Sequence, residues 1–466
     1  MRSWIKTSLL VVALFALCWG GAIAYWQTTN RMPSIGDLAL YMLVLPLALL
    51  LGVWLLRKGM GAMAAAPAVA VAAPAASAAR DPGKTEPVLE LLAGALRTAH
   101  GASVEELAEA IEGGTARPGL DPELLDDDGY PIMSARVDAA DDEDLRVEIE
   151  AWLAAHGHTR DFDSEQWRAL VLGTGVVNEL AFELAAHELL GQDGGKRVPT
   201  LQLLPLLSPT WREEQRRAAA EWLRQCVAQA GWPLERISAR APVQGHVASL
   251  ITQLRAQAHS GEPVLALVVA LDSHIGEASV NALSAAGTLF VASRPQGLVP
   301  GEGAAAVLLA DRTQARHLAA DVQPLVQSAT ARREGSADTS RRPDAAVLRK
   351  LAAALQDNAG IEAAKVAMVV ADTSHRTSRV MELMAFGHEQ FAHLDTSLDV
   401  KSTGPACGHS GAVAALAALA VARHHAIELD QHVLCIANED PFERAAMLLT
   451  PASLLAPLTP PAPPTT

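Results

Sequence analysis

Apolar positions along this chain fall into two regimes: two long uncharged runs near the N-terminus, then short apolar runs that alternate with amphipathic stretches. Leu9 to Trp26 and Leu38 to Leu56 are each about long enough to span a bilayer. Arg2 and Lys6 precede the first run and Arg57 and Lys58 follow the second, whereas the loop between them sets Arg31 against Asp37. The positive-inside rule therefore predicts a two-helix transmembrane hairpin with both ends in the cytoplasm. Trp19, Tyr25, Trp26 and Trp54 sit within or near the run ends as interfacial anchors, and Pro46 is tolerable inside a bilayer. A single anchor with a periplasmic domain and a cleaved signal peptide are the alternative readings, the latter suggested by Gly20, Gly21, Ala22 and Ala24. A second full-length apolar run so soon after the first favours the hairpin.

Downstream, the pattern divides the chain into an Ala/Pro-rich linker over 61–86, a small helical segment over 87–130, a main domain over 131–450 and a Pro/Thr-rich disordered tail over 451–466, with the hairpin occupying 1–60. Within the small segment, Pro87 to Thr98 is expected to be helical, and Ser103-Val-Glu-Glu106 has capping-box spacing for a helix that ends near Gly113. Gly129-Tyr-Pro131, after three consecutive aspartates, is expected to turn into the main domain. There, strands are expected over Ala169 to Leu172, Pro199 to Leu206, Val264 to Leu271, Gly287 to Ala292, Ala304 to Leu309, Ala364 to Ala371 and Val433 to Ala437. Helical patterns separate them, which predicts a layered α/β domain. The strands ending at Asp272 and Asp372 are candidates for equivalent members of an internal repeat.

Composition narrows this picture. A net charge of −15 without any basic run excludes nucleic acid as a partner. Four widely spaced cysteines, Cys18, Cys226, Cys407 and Cys435, form neither a disulfide framework nor a zinc knuckle. Asp272, His274 and Glu277 lack a fourth ligand and helical histidine spacing, so no metal and no cofactor is expected.

Three segments carry a family resemblance. Gln296-Gly-Leu-Val-Pro-Gly-Glu-Gly-Ala-Ala-Ala-Val-Leu-Leu-Ala310 is a glycine-bracketed acidic turn running into an apolar strand. Asp399-Val-Lys-Ser-Thr-Gly-Pro-Ala-Cys-Gly-His-Ser-Gly-Ala-Val413 opens a small-residue helix, and Val433-Leu-Cys-Ile-Ala437 is a last strand. In this order they resemble the β-ketoacyl synthases. The resemblance implies a thiolase-like, duplicated five-layer α/β fold, usually dimeric, and an active site of one cysteine and two histidines.

The site residues of that resemblance are only partly present. The family's nucleophile stands one helix before the strand that Val264 to Leu271 resembles, which falls on Ala241-Pro-Val-Gln-Gly245, without cysteine or serine. Cys226 comes too early and reads as the middle of an amphipathic helix. The first histidine, in a pattern like His-Gly-Thr-x-Thr, corresponds to His375, with Arg376 in place of the glycine and Thr377 two residues on. Near the second histidine the family reads Lys-Ser-x-x-Gly-His. Lys401 and Ser402 match, and two registers stay open: one puts Pro405 where the histidine is expected, the other aligns Gly408-His409. Cys407, in a glycine-rich turn at a helix start, has the setting of a reactive thiolate, although no nucleophile of the family stands there. The family's closing Gly-rich loop is replaced by Asn438-Glu-Asp-Pro-Phe-Glu-Arg444.

His375, His409, Cys407 and Lys401 are thus the candidate catalytic residues. The expected function is a membrane-anchored, catalytically degenerate ketosynthase-like subunit on the cytoplasmic face of a bacterial inner membrane, binding or scaffolding, as a homodimer or beside a ketosynthase-like subunit. Two other readings are open: an active acyl-thioester transferase or a partner of a true 3-oxoacyl synthase, served by an acyl carrier protein; and an accessory of a membrane secretion apparatus, in contact with envelope-complex components.

Overall fold

A computed structural model describes residues 88–185, 198–240, 246–318, 322–339 and 343–454. The chain opens with β1 (Leu89–Arg97), α1 (Val104–Glu112), the β2–β3 hairpin (Gly119–Leu125 and Pro131–Ser134), α2 (Glu143–Ala155) and α3 (Ser164–Ala185). It continues through β4 (Leu201–Leu206), α4 (Glu213–Gln229), β5 (Ile237–Ala239), α5 (Val247–His259), β6 (Leu265–Ser273), α6 (Glu277–Ala285), β7 (Glu302–Asp311) and α7 (Arg312–Leu318). Then follow β8 (Leu325–Arg332), α8 (Ala346–Ala359), β9 (Val366–Ala371), α9 (Thr377–Gln390), β10 (Val400–Ser402), α10 (Gly404–Cys407), α11 (Val413–Leu429), β11 (His432–Ala437) and β12 (Glu443–Thr450).

The ten-stranded sheet runs β10-β9-β11-β12-β8-β1-β7-β6-β4-β5 and is a duplication. Read outward from its middle, one half is β1-β7-β6-β4-β5 and the other β8-β12-β11-β9-β10. In both, the first two pairings are antiparallel and the last two parallel. The halves pair in the sheet at Leu89–Val326 and Glu90–Leu325. This corrects the expected repeat: the counterpart of β6 is β11, and that of β9 is β4, so the strands ending at Asp272 and Asp372 are not equivalent.

Helices fill the layers. α3 packs on β1, β6 and β7, and α8 on β8 and β12, while α5 and α11 each touch strands of both halves. α11 is apolar on all sides from Val413 to Ala422, as a helix segment buried between the two halves must be. Its alanines let the sheet come close: a Cβ on Gly94 of β1 would lie 2.9 Å from the Ala420 Cβ. The result is the layered α/β architecture expected.

Local expectations fare unevenly. Ser103 caps α1 by accepting from the Glu106 N–H, and the Glu106 carboxylate takes the Ala102 N–H. β4, β6, β7, β9 and β11 form where strands were expected. Pro87 to Thr98, however, holds not a helix but β1, the central strand, buried by β7, β8 and α11. The sheet of the main domain therefore already includes β1, ahead of the expected start at 131. Ala169 to Leu172 lies inside the 22-residue α3, where burial between sheet and α4 makes a helix apolar enough to look like a strand. Gly287 to Ala292 makes only isolated bridges, Leu289–Leu298 and Val291–Arg294. The Asp126–Pro131 turn closes the β2–β3 hairpin, with Gly129 at φ +80°. The expected hairpin, the linker and most of the tail lie outside the described residues, among which no helix is long and apolar enough to cross a membrane.

The glycines flanking Glu302 are required by space, not by a left-handed backbone. A Cβ on Gly301 would overlap the Cys407 carbonyl oxygen, and one on Gly303 would stand 2.9 Å from the Arg97 carbonyl oxygen and 3.1 Å from Val413 Cγ1. Ala304 to Leu309 behind them are fully buried. Gly303→Val should therefore lower stability by about 3 kcal/mol through overpacking against fixed backbone. Thermal denaturation measures this, and an unshifted midpoint would contradict the packing.

Candidate functional site

Three loops converge at the carboxyl ends of β6, β9 and β11, where ligand sites of open α/β sheets form. What joins them is backbone contact. Gly408, at φ +57°, packs on Gly301, and the His409 N–H donates to the Val299 carbonyl at 2.8 Å. Only glycine on both sides allows two chains so close. Beneath this contact the Glu302 carboxylate is fully buried and completely satisfied. Arg168 donates to it from Nε at 2.8 Å and Nη2 at 2.6 Å, the Val137 N–H at 2.8 Å and the Ser273 hydroxyl at 2.9 Å.

Beside it, the His274 and His409 rings stack at 4.7 Å. His274 Nε2 lies 3.4 Å from Asp272, and its Nδ1 is 3.2 Å from the Ser279 hydroxyl, which donates to Glu165 at 2.8 Å. Burial opposes charging His274, yet Asp272 and Glu165 prevail and raise its pKa. His409 goes the other way: burial, then the neighbouring His274, push it down to about 4. The pair is thus a charge-supported imidazole against a neutral one. Gly411, at φ +59°, lets Asp272 approach, since a Cβ there would sit 2.5 Å from Asp272 Oδ2.

His409 faces a cavity of about 40 Å³, room for a water or two. His375, Ser374, Asp372, Ser410 and Glu439 line it too. His375 rests edge-on against Phe290 at 4.9 Å, and its Nε2, like Ser410 Oγ, is buried without a protein partner. Burial lowers the His375 pKa, so this imidazole is also neutral. Asp372 accepts the N–H groups of Asn438, at 2.7 Å, and Glu439, at 3.2 Å. Burial and the nearby Glu439 nonetheless push its pKa up to about 7. Glu439 is clamped by the Ser374 N–H at 3.0 Å, the Ser374 hydroxyl at 2.9 Å and Arg376 Nε at 2.8 Å. Arg376 and the buried Arg379 both reach the Glu439 carbonyl and Asp338. A bulky ion-pair network therefore occupies the place of the family's glycine loop.

The structure brings His375 and His409 to one cavity and leaves the other candidates out. Cys407 is corrected: its side chain is wholly buried in the core, and burial pushes the thiol up to about 12, the opposite of a reactive thiolate. Lys401 sits on the edge strand β10 and does not line the cavity. Cys226 lies mid-helix in the core, where burial raises its thiol pKa. Residues 241–245, the place of the absent nucleophile, lie outside the described residues, directly before His246 at the start of α5. Glu165 escaped the sequence reading, and Asp372, Glu439 and His274 were noted there without being placed in the site. Asp372 with Glu439 is a contact across the β9–β11 pairing, and His274 with Glu165 spans more than a hundred residues.

The fold is that of the ketosynthases. A ketosynthase from module 6 of the bacillaene synthase of Bacillus subtilis superposes at TM-score 0.54, with 14% identity over 78% of this chain and 72% of that one. The oxazolomycin ketosynthase domain of Streptomyces albus gives 0.54, 15% identity and 81% and 76% coverage. The ishigamide ketosynthase/chain length factor gives 0.52, 14% and 79% and 100%. No family model matches the chain. No curated protein matches it in sequence.

The raised Asp372 pKa has a measurable sign. A carboxyl that holds its proton more tightly when folded contributes stability that is full below its unfolded pKa and lost as pH rises through about 7. Asp372→Asn should therefore gain on the parent as pH rises, by about 2 kcal/mol between pH 5 and pH 8. Urea denaturation at both pH values reads this, and a pH-independent difference would contradict the burial assigned to Asp372.

Proposed function

We propose that this chain is a ketosynthase-fold subunit that binds or organises partners and does not catalyse condensation. The observation that carries the reading is the state of the thiols. All three described cysteines, Cys226, Cys407 and Cys435, are buried, with their pKa values raised, so none is a thiolate available to an acyl thioester. The cavity supports the same reading: two neutral imidazoles and the Glu439 carboxylate line a space of about 40 Å³. The duplicated sheet of the fold is kept.

The partner class follows from the neighbours. A ketosynthase/chain length factor and a ketosynthase in complex with a type II acyl-carrier protein share the fold. We infer that this chain pairs with a ketosynthase-like subunit, or with a copy of itself, and that a carrier protein is its natural visitor. The N-terminal apolar runs and their Lys/Arg flanks support tethering at the inner face of a membrane.

Incubated with acyl-CoA and with acyl-carrier protein, the full chain should gain no acyl mass in intact-protein mass spectrometry, even after hours. Stoichiometric acylation of any residue would overturn the reading. Separately, a periplasm-active reporter fused at Met32 should be active and one fused at Glu90 silent. Activity at Glu90 would remove the cytoplasmic placement and leave the thiol argument standing.

A further inference from the structure

The far end of the central helix carries a side-chain cluster unconnected with the cavity. His424 and His425 are adjacent in α11, and Glu428 lies four and three residues on, so one carboxylate faces both imidazoles. His424 Nε2 is 3.5 Å and His425 Nδ1 3.4 Å from the same oxygen, Glu428 Oε2. The three ligand atoms all lie within 4.8 Å of one another.

We propose that His424, His425 and Glu428 form a three-ligand site for a divalent transition-metal ion of the zinc class. Donors on a tetrahedral ion with bonds of about 2.0–2.1 Å stand about 3.4 Å apart, so the two nitrogen–oxygen spacings already match. Two imidazoles and one carboxylate are the borderline donor set that zinc, cobalt and nickel share, and not that of calcium or magnesium. Glu105 of α1 adds the outer partner. Its carboxylate is 3.7 Å from His424 Nδ1, the nitrogen a metal-bound His424 would use to donate, and such carboxylate–imidazole contacts orient ligands in metal sites.

Charge points the same way. Glu112 lies near His425, and the helix C-terminus adds its negative end. The adjacent Arg423 hydrogen-bonds the Leu91 and Leu92 carbonyls and Gln323, and its charge acts on Glu183 and Glu105. His425 is almost wholly buried, so its ring is held in place on the helix. Three protein ligands leave a fourth position, and the exposure of His424 and Glu428 opens it to solvent.

The test uses the full chain purified without a polyhistidine tag, titrated with Co²⁺ and then with Zn²⁺. One Co²⁺ per chain should give a visible ligand-field band of tetrahedral intensity that Zn²⁺ abolishes. The chain has 15 histidines, so site variants supply the assignment. His424→Gln and Glu428→Gln should each weaken Co²⁺ binding by at least about tenfold, and Glu105→Gln by about tenfold with the band retained. Both ligand side chains reach solvent, so the metal-free variants should keep the parent melting temperature, and lost binding then reports the site and not the fold. Absence of a band at millimolar Co²⁺, or a band of undiminished affinity in both ligand variants, would overturn the proposal.

Discussion

Everything at the convergence of the three loops depends on one backbone contact, Gly301 against Gly408. A Cβ on either residue would meet main-chain atoms of the other loop, so the contact tolerates no side chain. It sets the height of His409, because the residue after Gly408 bridges to Pro300 and donates to Val299. It also sets the depth of Glu302, which sits between the two glycines of the turn with four donors around it. A buried carboxylate this well paired is costly to disturb from one side, since removing a partner strands the remaining charge. The turn therefore survives because the fold cannot assemble without it, whether or not any chemistry occurs nearby.

The ends of β9 and β11 are held differently, by paired charges. Arg376 follows His375, where the family resemblance leads one to expect a glycine, and its charge is met by Glu439 in the loop after β11. The two departures compensate one another: neither residue alone could be buried here, and together with Arg379, Asp338 and Ser374 they make a satisfied network. An ion-pair lattice of this kind ties the loop after β11 to the start of α9 and to Asp338.

Much of this was legible in the chain. The acidic turn and the glycine-rich segment of 399–413 declared the fold, since their glycines answer to packing that recurs wherever the fold does. The strands β4, β6, β7, β9 and β11 announced themselves as short apolar runs between turn residues. β1 did not, because a strand buried by neighbours on both faces loses the period-two alternation and, at nine residues, resembles a helical turn or two. The apolar centre of α3 misled in the opposite direction for the same reason. Within the site, residue type located His375 and His409 but could not give the direction of Cys407. Its glycine-rich surroundings suggested access, whereas the thiol points into the core between α11 and the strands. The Asp372–Glu439 pair was out of reach altogether: it exists only because β9 and β11 are neighbours in the sheet.

The central helix ties these observations together. α11 runs for about 25 Å between the two halves of the duplication, and its first turn forms part of the cavity wall while its last carries His424, His425 and Glu428. Alanine at most of its buried positions lets both sheets press on it, so the helix has little freedom to shift without opening both layers at once. Whatever is held at one end is thus held in fixed geometry relative to the other. In a ketosynthase that rigidity serves to keep a histidine aimed at a thioester. In this chain the hydrogen bonds from Arg423 to the Leu91 and Leu92 carbonyls of β1 fix the helix on the sheet, and with it the position of Ala414 in the cavity wall.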